Sequence, residues 1–205
     1  MIRLIGTSHI SQESVDDVAS SIDDYNPAIV AVELDPRRFQ ALQQQRQADY
    51  SLRNPLISLI QYIQQHLSER TGITPGQELL TAAAEAERRG LPVALIDQDI
   101  AVTVQRLQQI SVLEKFKLAG FLLIGMFLPG SGIDIDSVPD RDTIRELTTR
   151  LQVSFPGLYR VLLAERNKVM AARLIELEKE FGDVLAFVGA GHLDGIQNII
   201  EEKTY

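Results

Sequence analysis

The sequence predicts an α/β fold: a small, mainly parallel sheet flanked by helices, with a large helical insertion between the third and last strands, at about residues 100–182. Two observations carry this. Four short apolar runs (Ile2–Ile5, Ala28–Val32, Pro92–Ile96 and Val184–Val188) alternate with helical patterns. Apart from Arg3 in the first, each run is continuously apolar rather than alternating, as expected for strands buried on both faces of a parallel sheet.

The elements follow in order. After the first strand, Ser11 is placed to cap a helix whose apolar residues Val15, Val18, Ala19 and Ile22 keep helical spacing. Asn26-Pro27 stops it, and the second strand ends in Glu33. Asp35-Pro36 opens the next helix, with proline in its first turn. Residues 54–69 are amphipathic, Thr74-Pro75-Gly76 is a break, and Glu78–Arg89 reads as a helix closed by Gly90. The third strand runs into Asp97-Gln98-Asp99. Only helices are expected from there to Gly182, with breaks near Pro129–Pro139 and Pro156-Gly157. The last of these helices carries Met170, Leu174, Leu177 and Phe181 on one face. Asp194-Gly195 opens a final helix, and residues 1–205 read as one domain.

Composition narrows the function classes. A chain of 205 residues, 45% hydrophobic, supports a folded core. The net charge of −8 argues against nucleic acid as a partner, because phosphate binding needs a basic face. With no cysteine, any metal must be held by His, Asp, Glu or backbone oxygen. Met1-Ile2-Arg3 runs straight into the first strand, so no signal peptide is read there, and a cytoplasmic location is expected. The apolar run Phe116–Leu128 is shorter than the roughly 20 residues a membrane span needs. It is read as a buried or interface helix, suited to a homodimer contact, with an interfacial membrane contact as the other reading.

Two of the three histidines share a frame, Gly6-Thr7-Ser8-His9 and Gly189-Ala190-Gly191-His192, each directly after a strand. A lone histidine in such a place is commonly a hydrogen-bonded loop cap. A matched pair points to a site at the C-terminal edge of the sheet, where ligands bind in such folds. Glu33 and Asp97 or Asp99 end the other two strands and would face the same crevice. Two imidazoles and a carboxylate are a recipe for a hydrolytic or redox metal site, with a further carboxylate as base. Arg37, Arg38 and Arg166 are candidates for holding an oxyanion or a terminal carboxylate. Blander readings stand beside these: Glu33 pairing with Arg37 or Arg38, Asp99 as a helix cap, and Glu165-Arg166-Asn167 as an exposed helix turn.

Taken in order, GTSH (Gly6–His9), VELDPRR (Val32–Arg38), PGQELLTAAAEA (Pro75–Ala86), LIDQDI (Leu95–Ile100), ERN (Glu165–Asn167) and VGAGHLDGI (Val188–Ile196) resemble the TraB/PrgY family, which includes the Tiki ectodomains. Gln98 stands where that family usually carries arginine. The resemblance implies a fold similar to the erythromycin-esterase and ChaN-like group and a metal-dependent peptidase activity, with manganese or cobalt favoured over zinc. His9, His192 and Glu33 would hold the metal, with Glu33 as ligand or general base. Arg37 or Arg166 would stabilise the oxyanion, and Glu78 and Glu165 are reserve carboxylates. Many microbial relatives continue into a hydrophobic C-terminal region, which would make a longer form membrane-associated. Other readings are non-catalytic capture of a peptide, as in the pheromone-shutdown members, and metal or haem handling.

Overall fold

The computed structural model describes residues 1–7, 13–44, 76–127 and 141–204. Four strands, β1 (Ile2–Thr7), β2 (Ile29–Val32), β3 (Val93–Leu95) and β4 (Val184–Gly189), form one sheet in the order β1-β4-β2-β3. Every pairing is parallel. The last strand therefore lies between the first and second, and all four C-terminal ends share one edge, as the sequence predicts.

Helices cover both faces, and strand alternation sorts the core into two layers. Val30, Val32, Leu185 and Phe187 pack against Val18 and Ile22 of α1 (Glu13–Tyr25) and Leu79, Ala82, Ala83 and Ala86 of α3 (Gln77–Arg88). Ile29, Ala31, Val184, Ala186 and Val188 face the other way, against Met170, Ala171 and Leu174 of α8 (Glu165–Phe181) and Ile196 of α9 (Leu193–Thr204). Ser11 and residues 54–69 lie outside the described residues.

Local chemistry sets the boundaries. Asn26 ends α1 at a positive φ of 49°, a conformation asparagine tolerates better than most residues. Asp35 caps α2 (Pro36–Gln43), its Oδ1 accepting from the backbone N–H of Arg37 at 3.0 Å and Arg38 at 3.3 Å. Asp99 caps α4 (Ile100–Gln108) in the same way, accepting from Ala101 N–H at 2.8 Å. Gly182, at φ 88°, turns the chain from α8 into β4.

The helical insertion has a small core of its own. Leu107, Ile110, Phe155, Leu158 and Val161 cluster where α4, α5 (Val112–Phe127), α6 (Arg141–Ser154) and α7 (Pro156–Tyr159) meet. The break expected around Pro156-Gly157 falls at Phe155, between α6 and α7. Pro156 then starts one continuous helical segment: α7, a π turn (Arg160–Ala164) and α8. Its first N–H groups, at Gly157 and Leu158, donate to Glu114 at 3.2 and 2.8 Å. On the apolar face of α8, Met170 and Leu174 are fully buried, while Phe181 at the end of the helix is 38% exposed. In α5, Val112, Leu113 and Phe116 are exposed. Among the described residues no helix is long and apolar enough to cross a membrane.

Candidate functional site

Past Val32 the chain carries Glu33 over the C-terminal edge of the sheet, where its N–H donates to Phe187 O at 3.0 Å. The side chain is buried. Its Oε2 accepts from the backbone N–H of Gly189 at 2.6 Å, and its Oε1 faces both Arg166 Nη2 and His192 Nε2, the latter at 3.3 Å. A side chain at Gly189 would crowd the Glu33 carboxylate, so glycine there allows the approach.

Asp97 follows β3 by two residues, one step further along than Glu33 follows β2, and is also buried. Both oxygens are saturated: Oδ1 accepts from Arg166 Nε (2.9 Å) and Gln98 N–H (2.8 Å), Oδ2 from Arg166 Nη2 (2.9 Å) and Arg38 Nη1 (3.1 Å). Arg173 adds a donor to the Asp97 carbonyl at 2.6 Å. Arg166 thus joins the two strand ends, and its remaining contact is Nη1 to Leu162 O at 3.1 Å. Burial opposes its charge, but Glu33 and Asp97 outweigh that and hold its pKa above the usual value. Two buried carboxylates and two guanidinium groups neutralise one another, the condition under which buried charge is tolerated.

His192 closes the 3-10 turn Ala190–His192 after β4 and is 5% exposed. Burial pushes its pKa down, and Glu33 offsets this only in part. Its Nδ1 is hydrogen-bonded to Asn167 Oδ1. Asn167 is itself buried, packed against Gly195, where a β-carbon would overlap its amide nitrogen.

Several sequence expectations are thereby placed. Glu33, Asp97, Arg166 and His192 come together. Glu33 does not pair with Arg37 or Arg38; Arg166 reaches it instead, while Arg38 goes to Asp97. Arg37 lies outside the cluster, mostly exposed, with Nε 3.7 Å from Asp99. Glu165-Arg166-Asn167 is not an exposed helix turn, since Arg166 and Asn167 point inward onto the sheet edge. Glu165 faces outward to Arg160 and Arg106, at 3.5 and 3.9 Å. Glu78 accepts from Gly76 N–H at 3.0 Å, at the start of α3. With glutamine at position 98 the strand end still forms its ion pairs, and Gln98 Nε2 donates to Thr103 Oγ1 at 3.0 Å. His9 lies outside the described residues.

Sequence reasoning does not single out Asn167 or Gly195 as site residues. The available signal is a polar triplet in an otherwise apolar-faced helix, and a glycine within a helix where alanine is favoured. The π turn immediately before Glu165 interrupts the α-helical ladder at this point; such turns are rare and frequent near functional sites.

Among the described residues no group of three or more His, Asp or Glu side chains is arranged to hold a metal ion. The pair His192 and Glu33 nonetheless has suitable donor chemistry. The imidazole is anchored through one nitrogen, as metal-bound histidines are, and its other nitrogen faces a carboxylate oxygen.

A parallel α/β layer, helices on both faces, with a buried carboxylate–arginine–histidine cluster at its C-terminal edge, defines the class. The chain belongs to the TraB/PrgY/gumN family, whose sequence model matches residues 1–204. It is 33% identical to an uncharacterized protein of Methanocaldococcus jannaschii over 98% of this chain and 53% of that protein. It is 28% identical to the TraB domain-containing protein of Bos taurus over 96% of this chain and 61% of that protein, and equally so to the Homo sapiens protein. The chain thus spans roughly half to three-fifths of the length of these relatives.

Proposed function

We propose that this chain is a metal-dependent hydrolase acting on a peptide, with His192, Glu33 and His9 as the metal-binding residues. The observation supporting this most is the approach of His192 Nε2 to Glu33 Oε1 at 3.3 Å, on a histidine whose other nitrogen is already anchored. A bound manganese, cobalt or zinc ion would supply Lewis-acid polarisation of the substrate carbonyl and a more acidic water. The chain's own residues prepare the place. Gly189 N–H and Arg166 orient the Glu33 carboxylate, Asp97 and Leu162 O hold Arg166 in turn, and burial excludes bulk water.

The test is metal content and affinity of the wild type and of a His9→Ala/His192→Ala double variant, followed by a peptide-cleavage screen. Metal bound by the wild type and lost in the double variant, with cleavage that depends on it, is the expected result. Metal binding and cleavage both intact in the double variant would overturn the reading.

One observation favours non-catalytic peptide capture. Both oxygens of Glu33 already have protein donors, from Arg166 and from Gly189. That reading expects peptide affinity without turnover and without sensitivity to chelators.

A further inference from the structure

Asn167 turns its carbonyl oxygen to His192 Nδ1, and because an oxygen can only accept, this orientation assigns the ring proton to Nδ1. A neutral imidazole has one such proton, which leaves Nε2 with its electron pair. Nε2 in turn stands 3.3 Å from Glu33 Oε1, another acceptor. Two electron-pair donors facing each other in a buried place do not attract; they favour a cation, or a donated proton, between them. The same ring in the opposite tautomer would donate Nε2–H to Glu33 and close this gap.

We propose that Asn167 is a positioning residue that holds His192 in the Nδ1–H tautomer and so keeps Nε2 open toward Glu33. Gly195 is part of the device. Without a side chain it admits the Asn167 amide against α9, whereas a β-carbon would overlap Nδ2 and displace it. The ligand this favours at Nε2 and Oε1 is a cation or a strong hydrogen-bond donor from a substrate. Asn167 has this role whether or not the chain is a hydrolase, since it acts on the protein before anything binds.

The experiment is 15N NMR of the histidine ring nitrogens in metal-free protein at a mildly alkaline pH, where the rings are neutral. The chain has three histidines, and the His192 signals are identified by their loss in His192→Gln. In the wild type Nδ1 is expected to be protonated and Nε2 unprotonated. In Asn167→Leu the proton is expected to move to Nε2; Asn167→Asp, which keeps an acceptor oxygen, retains the wild-type pattern. Gly195→Ala is expected to shift toward the Asn167→Leu pattern and gives a second route should Asn167→Leu not fold. Protonated Nε2 in the wild type, or an unchanged tautomer in Asn167→Leu, overturns the proposal. Because the protein is metal-free, this result is independent of whether metal binding or peptide cleavage is found.

Discussion

Arg166 grips Asp97 through two hydrogen bonds of 2.9 Å, Nε to Oδ1 and Nη2 to Oδ2, joining residues 69 positions apart. The same Nη2 also reaches Glu33, so one guanidinium holds two strand ends together. Such paired, planar contact is specific to arginine.

Removing this arginine leaves two buried carboxylates with less counter-charge. Arg166→Met is expected to lower stability by about 3–5 kcal/mol, as for a broken buried ion pair. Arg166→Lys restores the charge but not the two-point contact and is expected to fall between. Urea unfolding of the three proteins checks the order; equal midpoints would contradict it.

Two glycine substitutions should act in opposite directions. Gly120 lies within α5, and a β-carbon there would meet no described atom, so Gly120→Ala is expected to stabilise by about 1 kcal/mol through helix propensity alone. Gly195→Ala, also in a helix, is expected to destabilise, because the new β-carbon meets Asn167. Thermal unfolding distinguishes them, and a stabilised Gly195→Ala would show that Asn167 yields at no cost.

Asp97 and Asp35 are both buried carboxyls at the same edge, yet their environments differ. Every oxygen of Asp97 receives two donors, so Asp97→Asn places an N–H₂ group against arginines and is expected to cost about 1–3 kcal/mol. Asp35 uses Oδ1 as a cap, while Oδ2 has no hydrogen-bond partner among the described residues. Burial raises its pKa despite the two capping N–H groups. Asparagine caps as well as aspartate, so Asp35→Asn is expected to change stability by about 0.5 kcal/mol or less. Chemical denaturation at pH 7 reads both.

Away from this edge, Arg89 hydrogen-bonds to Asp23 at 2.7 and 2.8 Å and also to Glu85. Hydrogen bonds from Arg89 lower the pKa of Asp23, and those from Arg88 and Arg89 lower that of Glu85. A carboxylate depressed in the folded state binds fewer protons there than in the unfolded chain. Its stabilisation is present above the unfolded pKa and is lost as pH falls through the folded one. An Asp23→Asn/Glu85→Gln double variant is therefore expected to be less stable than wild type at pH 7, with the difference shrinking as the solution is acidified. Melting temperature against pH measures this; a gap that is constant across the range would remove the ion pairs as its cause.

Much of this is legible in the linear chain. Apolar runs locate the strands, their continuity indicates a parallel sheet, and parallel strands must bring their C-terminal ends to one edge. Glu33, Asp97 and His192 can therefore be placed together, because a residue following a strand has little freedom in where it emerges. Asp35-Pro36 and Asp99 announce their helices by capping chemistry alone.

Which cation meets which carboxylate is a different matter. Arg37, Arg38 and Arg166 are equivalent in composition, and only the packing of α8 on the sheet, past the π turn at Arg160–Ala164, turns Arg166 and Asn167 inward while Glu165 stays outward. Local hydrophobic pattern is enough to locate the strands and, through their continuity, to indicate a parallel sheet and the edge at which polar groups gather. The choice of partners at that edge belongs to the folded molecule. The direction a helical side chain takes depends on how its helix is rotated against its neighbours, a property no local pattern records.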